Sequence, residues 1–270
     1  MGKLGFIGLG SQGAPMAQRM LTAGYEVVLW ARRPQSLEPF ANSNATYADD
    51  IASLGRQVEY CAICVVDDRG VQQICEQLMP AMQPGSCIVI HSTINPSLCE
   101  NLARQARERG LALLDAPVSG GGAAAAAGTL TVMLGGDSET INRVHPFLAT
   151  FSNNIIHLGG VGAGQQAKLV NNNLMAANLA LAHHALSLAD SLGIARDEFV
   201  KLIQASSGHS FAFDVCARMQ TPQHFSHGAK LLAKDVGLLG ESVSNQADYQ
   251  IICDVANGFL KQALALDDIP

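Results

Sequence analysis

Leu4-Gly5-Phe6-Ile7-Gly8-Leu9-Gly10-Ser11-Gln12-Gly13-Ala14-Pro15-Met16-Ala17 is the stretch whose reading decides how the first half of the chain folds. The apolar run Leu4–Ile7 reads as a buried strand, and Ala14–Ala23 reads as a helix. Between them stand Gly8, Gly10 and Gly13, with Ser11 and Gln12 filling the variable places. A G-x-G-x-x-G alone is a common turn; placed directly after a strand and opening a helix, it matches a dinucleotide-binding loop. Gly8 allows the tight turn, Gly10 lets backbone approach a diphosphate, and Gly13 allows close helix-on-strand packing. The unpaired amides at the helix start then face the anion.

The next strand, Glu26–Trp30, runs into Ala31-Arg32-Arg33-Pro34. A site for NAD usually places an acid here, to accept hydrogen bonds from the ribose 2′-hydroxyl. Two arginines stand in its place, and guanidinium groups suit a 2′-phosphate. The expected cofactor is therefore NADP, with NAD as the alternative. Val65 and Val66, closing a strand read over Tyr60–Val66, are further cofactor-binding candidates.

Further strands are expected at Cys87–His91, Ala112–Ala116 and Thr131–Leu134. Helical patterns cover Leu37–Phe40, Val71–Met79, Pro96–Arg109 and Ser138–Thr150. This alternation predicts an α/β fold, a doubly wound parallel sheet of Rossmann type covered on both faces. Beyond Gly164 the spacing of apolar residues becomes helical throughout. The expected division is a nucleotide-binding domain over residues 1–162 and an all-helical substrate and oligomerisation domain over residues 163–270. GGVGAG (Gly159–Gly164) reads as a flexible joint between them. The helix expected over Lys168–Leu192 is apolar on most faces, which predicts a homodimer or homotetramer.

Hydrophobic residues make up 48% of the 270 and charged residues 15%, enough apolar content for a sizeable core. A net charge of −6 excludes a general nucleic-acid or anionic-membrane binder, which needs a cationic face. Seven scattered cysteines fit free thiols in a reducing cytosol. MGKLGFIGLG breaks into glycines too early for a signal peptide, and Asn178 interrupts the apolar run Leu174–Ala182. A soluble, cytoplasmic protein is expected.

Several segments together resemble the β-hydroxyacid dehydrogenase family, across nearly the whole chain. The glycine loop continues as Ala14-Pro15-Met16-Ala17, similar to the family's cofactor fingerprint. Ser92-Thr93 follows a strand; Asp115-Ala116-Pro117-Val118-Ser119-Gly120-Gly121 resembles the substrate-binding segment. Gly162-Ala163-Gly164-Gln165-Gln166-Ala167-Lys168-Leu169-Val170-Asn171-Asn172 resembles the catalytic segment, and Lys234-Asp235 a late helix motif. The resemblance implies hydride transfer between a nicotinamide cofactor and a small β-hydroxy acid or aldehyde acid. It makes Lys168 and Asn172 catalytic, Ser119, Gly120 and Gly121 substrate-binding, Thr93 a contact to substrate or nicotinamide ribose, and Lys234 a cofactor or carboxylate ligand. Chemistry agrees: a carbonyl receiving hydride needs a nearby acid, which a lysine ammonium provides. Asn172, four residues on, shares a helix face with Lys168 and is placed to hold the lysine or a substrate oxygen. Glycine amides after Ser119 suit a carboxylate.

The sequence departs from the family at Gln12, where a methionine is usual, in the alanine run Ala123–Ala127, and in ending soon after Asp268. An imine reductase-like activity and a non-catalytic NADP-binding role are the alternatives; Lys168 counts against the first, and the intact catalytic and substrate segments against the second. No metal site is expected. Cys61 and Cys64 fall on opposite faces of a strand, and His183 and His184 project about 100° apart on a helix. Asp67 and Asp68 read as helix caps or as neighbours of the cofactor.

Overall fold

Short aliphatic runs flanked by turn residues form the strands of the first unit. The computed structural model describes residues 2–265. In order, the elements are β1 (Leu4–Ile7), α1 (Gly13–Thr22), β2 (Val27–Trp30), β3 (Thr46–Tyr47), α2 (Ile51–Gly55), β4 (Tyr60–Ile63), α3 (Asp68–Leu78), β5 (Cys87–Ile90), α4 (Pro96–Glu108) and β6 (Ala112–Asp115). They continue with β7 (Val118–Ser119), α5 (Gly121–Ala127), β8 (Leu130–Gly135), α6 (Ser138–Leu148) and β9 (Ser152–Gly159). Strands β3-β2-β1-β4-β5-β6 lie side by side and parallel, the strand order of dinucleotide-binding sheets. β8 adds antiparallel to β6 through Asp115 and Gly135, and β9 runs parallel beside β8. The sheet is thus mixed at this end.

Alternation along each strand supplies two cores, because successive side chains point to opposite faces. Phe6, Leu29, Val89 and Leu114 pack with Met16 and Met20 of α1 and Val144 and Phe147 of α6. Ile7, Val28, Ile63 and Ile88 pack on the other face with Ile74 and Leu78 of α3 and Leu102 of α4. Cys61 belongs to this second core, while Cys64 packs against the first. All seven cysteines are free thiols. Burial pushes the Cys64 thiol up to about 12, so it stays protonated near neutral pH.

Several expectations are corrected. The strand read over Tyr60–Val66 ends at Ile63. Leu37–Phe40 is the end of a 3-10 turn spanning Pro34–Phe40, with Pro34 at its start. β9 was not anticipated: among the described strands it pairs with β8, and its residues are largely exposed, with Ser152, Asn153, Asn154 and His157 interrupting the aliphatic signature of a buried strand. The Ala123–Ala127 run is helix α5; alanine is the strongest helix former, and Gly128 ends the helix in a left-handed conformation. Asp67 caps α3 by accepting from the Gly70 amide at 2.8 Å.

The division between compact units falls between Lys168 and Leu169, inside helix α7 (Ala163–Ser191). The last residues of GGVGAG, Ala163 and Gly164, already belong to this 29-residue helix. The second unit continues with α8 (Arg196–Gln204), α9 (Phe211–Ala217), α10 (Ser226–Ser242) and α11 (Gln246–Leu264). Leu179, Leu186, Phe213, Phe259 and Leu260 form its core. Asp268 lies outside the described residues. Among the described residues no helix is long and apolar enough to cross a membrane.

His91, directly after β5, is buried between the rings of Phe6 and Phe151. Its Nδ1 donates to the Ala116 carbonyl oxygen at 2.8 Å, and Nε2 is buried with no hydrogen-bond partner. Desolvation lowers its proton affinity to about 4, against an ordinary value of 6.5. The unfolded chain takes up a proton below pH 6.5 that the folded chain refuses until about 4. Stability contributed by neutral His91 is thus present above pH 6.5 and lost as pH falls through that window, by up to about 3 kcal/mol. Urea unfolding at pH 7 and pH 4.5 should show His91→Phe losing less stability on acidification than the parent. Equal losses would show that His91 does not carry this dependence.

Candidate active site

The loop after β1 is shaped by contacts that admit no side chain. Gly8 has φ +99°, and a Cβ there would lie 2.1 Å from the Cys64 carbonyl oxygen. A Cβ on Gly13 would lie 2.0 Å from the Gly8 carbonyl oxygen. At Gly10 an added Cβ meets nothing within 4 Å, so the backbone there borders open space. Ser11 is exposed and Gln12 half-buried at the N-cap of α1, which has no side-chain cap and no acid in its first turn. That leaves the positive helix end open to an anion.

Gly8 and Gly10 line a cleft of about 320 Å³ together with Arg32, Arg33, Val65 and Val66. Both arginines are exposed. Gln73 and Gln77 of α3 join the lining, which sequence reasoning missed because nothing local marks them. The residues fit a dinucleotide: an uncapped helix start suits the diphosphate, and two guanidinium groups line the same cleft. The segment Ser119–Gly122, expected to bind substrate, abuts this loop, since a Cβ on Gly122 would lie 2.5 Å from the Ser11 carbonyl oxygen. Ser119 ends β7, and Gly120 and Gly121 follow at φ +128° and +73°. Positive φ at both turns successive amides out of the strand direction.

A chain of buried hydrogen bonds gathers the carboxyl ends of β4, β5 and β6 onto the start of α7. Asp115 is fully buried; its Oδ1 accepts from the Gly162 amide at 2.7 Å and its Oδ2 from the Gln165 amide at 2.8 Å. Burial raises the affinity of this carboxylate for protons, and the amides of Gly162, Gln165, Asp115 and Gly164 partly offset that. Gln165, also fully buried, spends its carboxamide on the loop after β5. Its Nε2 donates to the Ser92 carbonyl oxygen at 2.8 Å, and its Oε1 accepts from the Ile94 amide at 3.0 Å. Ser92 Oγ accepts from the Val65 amide at 2.7 Å. Thr93 is thereby pinned on both sides by one side chain, and Lys168, buried at 8% exposure, follows that side chain by three residues on α7. Gln165 was quoted as part of a motif and given no role; its partners lie more than 70 positions away, beyond any local signal.

In the second unit, Asn172 Nδ2 donates to Asp235 Oδ2 at 2.5 Å, and Lys234 Nζ lies 3.0 Å from Asp235 Oδ1. The buried Asp235 thus brings Asn172 and Lys234 together. The Asn172 amide group, expected to hold the lysine or a substrate oxygen, is here committed to Asp235. Among the described residues no group of three or more His, Cys, Asp or Glu is placed to hold a metal ion.

Known proteins agree with this layout. Residues 3–159 match the NAD binding domain of 6-phosphogluconate dehydrogenase, and residues 162–266 match the "NAD-binding of NADP-dependent 3-hydroxyisobutyrate dehydrogenase" domain. An NAD-dependent L-serine dehydrogenase of Pseudomonas aeruginosa is 34% identical, over 92% of this chain and 87% of that one. An L-threonate dehydrogenase of Cupriavidus necator is 34% identical over 78% and 72%. The structure of Mycobacterium tuberculosis 3-hydroxyisobutyrate dehydrogenase with L-serine superposes at a TM-score of 0.86, with 28% identity and coverage of 99% and 96%. The two family models together cover nearly the whole chain, and this chain belongs to the β-hydroxyacid dehydrogenase family.

Proposed function

We propose that the protein reduces a small aldehyde acid to its β-hydroxy acid, and runs the reverse reaction, using NADP(H) in preference to NAD(H), with Lys168 as the group that moves the proton. The observation that carries this reading is the carboxamide of Gln165, one helical turn before the buried Lys168, which holds the chain on either side of Thr93. When bound, the reduced nicotinamide supplies the hydride to the substrate's carbonyl carbon. Lys168, as ammonium, donates its proton to the carbonyl oxygen as negative charge develops there; in the oxidative direction its neutral form accepts the hydroxyl proton. The Ser119 hydroxyl and the Gly120 and Gly121 amides hold the substrate carboxylate. Asn172 and Lys234, joined through Asp235, are the polar candidates of the second unit. The partner in solution is a small carboxylate, and the setting is the cytoplasm.

The preference for NADP rests on Arg32 and Arg33 at the cleft, where the sequence supplies no acid after β2. Relatives divide on this point: the P. aeruginosa enzyme is named NAD-dependent, whereas the matched C-terminal domain is described from an NADP-dependent enzyme. An ordinary charge-assisted hydrogen bond contributes about 1.5–3 kcal/mol. Replacing Arg32 and Arg33 by alanine should therefore lower kcat/KM with NADPH by roughly 10–100-fold and leave the NADH value unchanged. Equal losses with both cofactors would remove the arginines from 2′-phosphate recognition.

Lys168→Ala should cut turnover of aldehyde acids by about 10²–10⁴-fold, the usual contribution of a positioned acid, while NADPH still binds. Glyoxylate, succinic semialdehyde, tartronate semialdehyde and methylmalonate semialdehyde form the substrate panel, with cyclic imines alongside. Turnover of Lys168→Ala at the parent rate would refute the lysine's role. Reduction of imines alone would favour an imine reductase, and silence with tight NADPH binding would favour a non-catalytic protein.

A further inference from the structure

Two loops leave the carboxyl ends of the neighbouring strands β4 and β5, and side chains join them twice. Ser92 Oγ accepts from the Val65 amide at 2.7 Å. Asp68 Oδ2 accepts from the Asn95 amide at 3.0 Å. On each loop the joined positions stand three residues apart, so the two bonds enclose Val66 and Asp67 on one loop and Thr93 and Ile94 on the other. Val65, Val66 and Asp67 line the cofactor cleft, and Val66 is 70% exposed there.

The start of α3 already has its cap without Asp68. Asp67 supplies it by accepting from the Gly70 amide, and Asp68, the next residue, reaches away to the other loop. Asn95 in turn caps α4, accepting from the Ser97 amide at 2.9 Å while its own amide donates to Asp68. The half-buried Asp68 carboxylate thus stands at the amino ends of two helices, α3 and α4, where both dipoles favour negative charge. A charged acceptor also makes a stronger bond to an amide than a neutral one does.

We infer that Asp68 is a positioning residue. Together with Ser92 it clasps the Thr93 loop to the cofactor-lining loop, so that a nicotinamide cofactor filling the cleft beside Val65 and Val66 also orders Thr93. Gln165 holds the same loop from α7; Asp68 holds it from the side of the cleft. The consequence for turnover rests on the proposed chemistry, whereas the clasp itself does not.

Hydrogen exchange of the full chain, with and without saturating NADPH or NADH, reads the clasp with no turnover, because exchange reports local opening. In the parent, the cofactor that protects residues 64–68 should protect residues 91–95 as well. In Asp68→Ala it should protect the first segment and leave the second at its cofactor-free rate. Asp68→Asn, which keeps an acceptor oxygen, should restore protection of both. With aldehyde acids and that cofactor deuterated at the transferred position, Asp68→Ala should lower kcat about 10-fold and raise the primary isotope effect, with KM for the cofactor unchanged. Lower thermal stability with an unchanged isotope effect would overturn the positioning role. Residues 91–95 unprotected in the parent, protected equally in Asp68→Ala, or unprotected in Asp68→Asn would overturn the clasp. A parent that reduces no aldehyde acid refutes the proposed chemistry instead, and the exchange result still decides the clasp.

Discussion

The Asp115 carboxylate anchors the start of the lysine-bearing helix to the end of the sheet. It is buried at the carboxyl end of β6 and accepts the amides of Gly162 and Gln165, at the mouth of a 29-residue helix. A buried carboxylate is costly unless hydrogen-bonded, and unpaired amides at a helix start supply both bonds and a favourable dipole. The arrangement fixes where α7 begins. Because Gln165 is the third residue of that helix, fixing the start also fixes where its side chain reaches. The loop after β5 is held in turn, and Val65 is tied to the same loop through Ser92. Three strand ends, one lining residue of the cofactor cleft and the lysine-bearing helix are thus joined by hydrogen bonds with little solvent access.

The glycines of this region follow from the same constraint. At Gly164 a Cβ would stand 2.4 Å from the Met133 carbonyl oxygen and 2.8 Å from Asp115 Oδ2. Gly162 has φ +95°, which lets its amide face the carboxylate. Gly164 admits no side chain because the helix start is pressed onto β8 and Asp115. The contact between Gly122 and Ser11 works alike, drawing the Ser119–Gly122 segment against the glycine loop.

Much of this was legible in the sequence, where signals are local. The loop Gly8–Gly13, the strands β1, β2 and β5, the long helix and the arginines after β2 each announce themselves within a few residues. In the GGVGAG stretch glycine can mark either freedom or close approach, and the sequence does not separate them. Asp115 and Gln165 carry their meaning across 47 to 73 positions, and Asp235 reaches Asn172 across 63. The two-stranded contacts of β7 and the polar edge of β9 lack the aliphatic runs that mark buried strands.

The most direct test of the account is Gln165→Met, which keeps the side chain's length and apolar body while removing both hydrogen bonds beside Thr93. Stopped-flow turnover and NADPH titration of the same preparation separate positioning from folding. The account predicts kcat lowered by about 100-fold, the effect of a displacement near 1 Å, with NADPH affinity and KM little changed. A variant that loses thermal stability yet turns over at the parent rate would contradict it, leaving Gln165 a structural tie and Thr93 and Lys168 placed by other means.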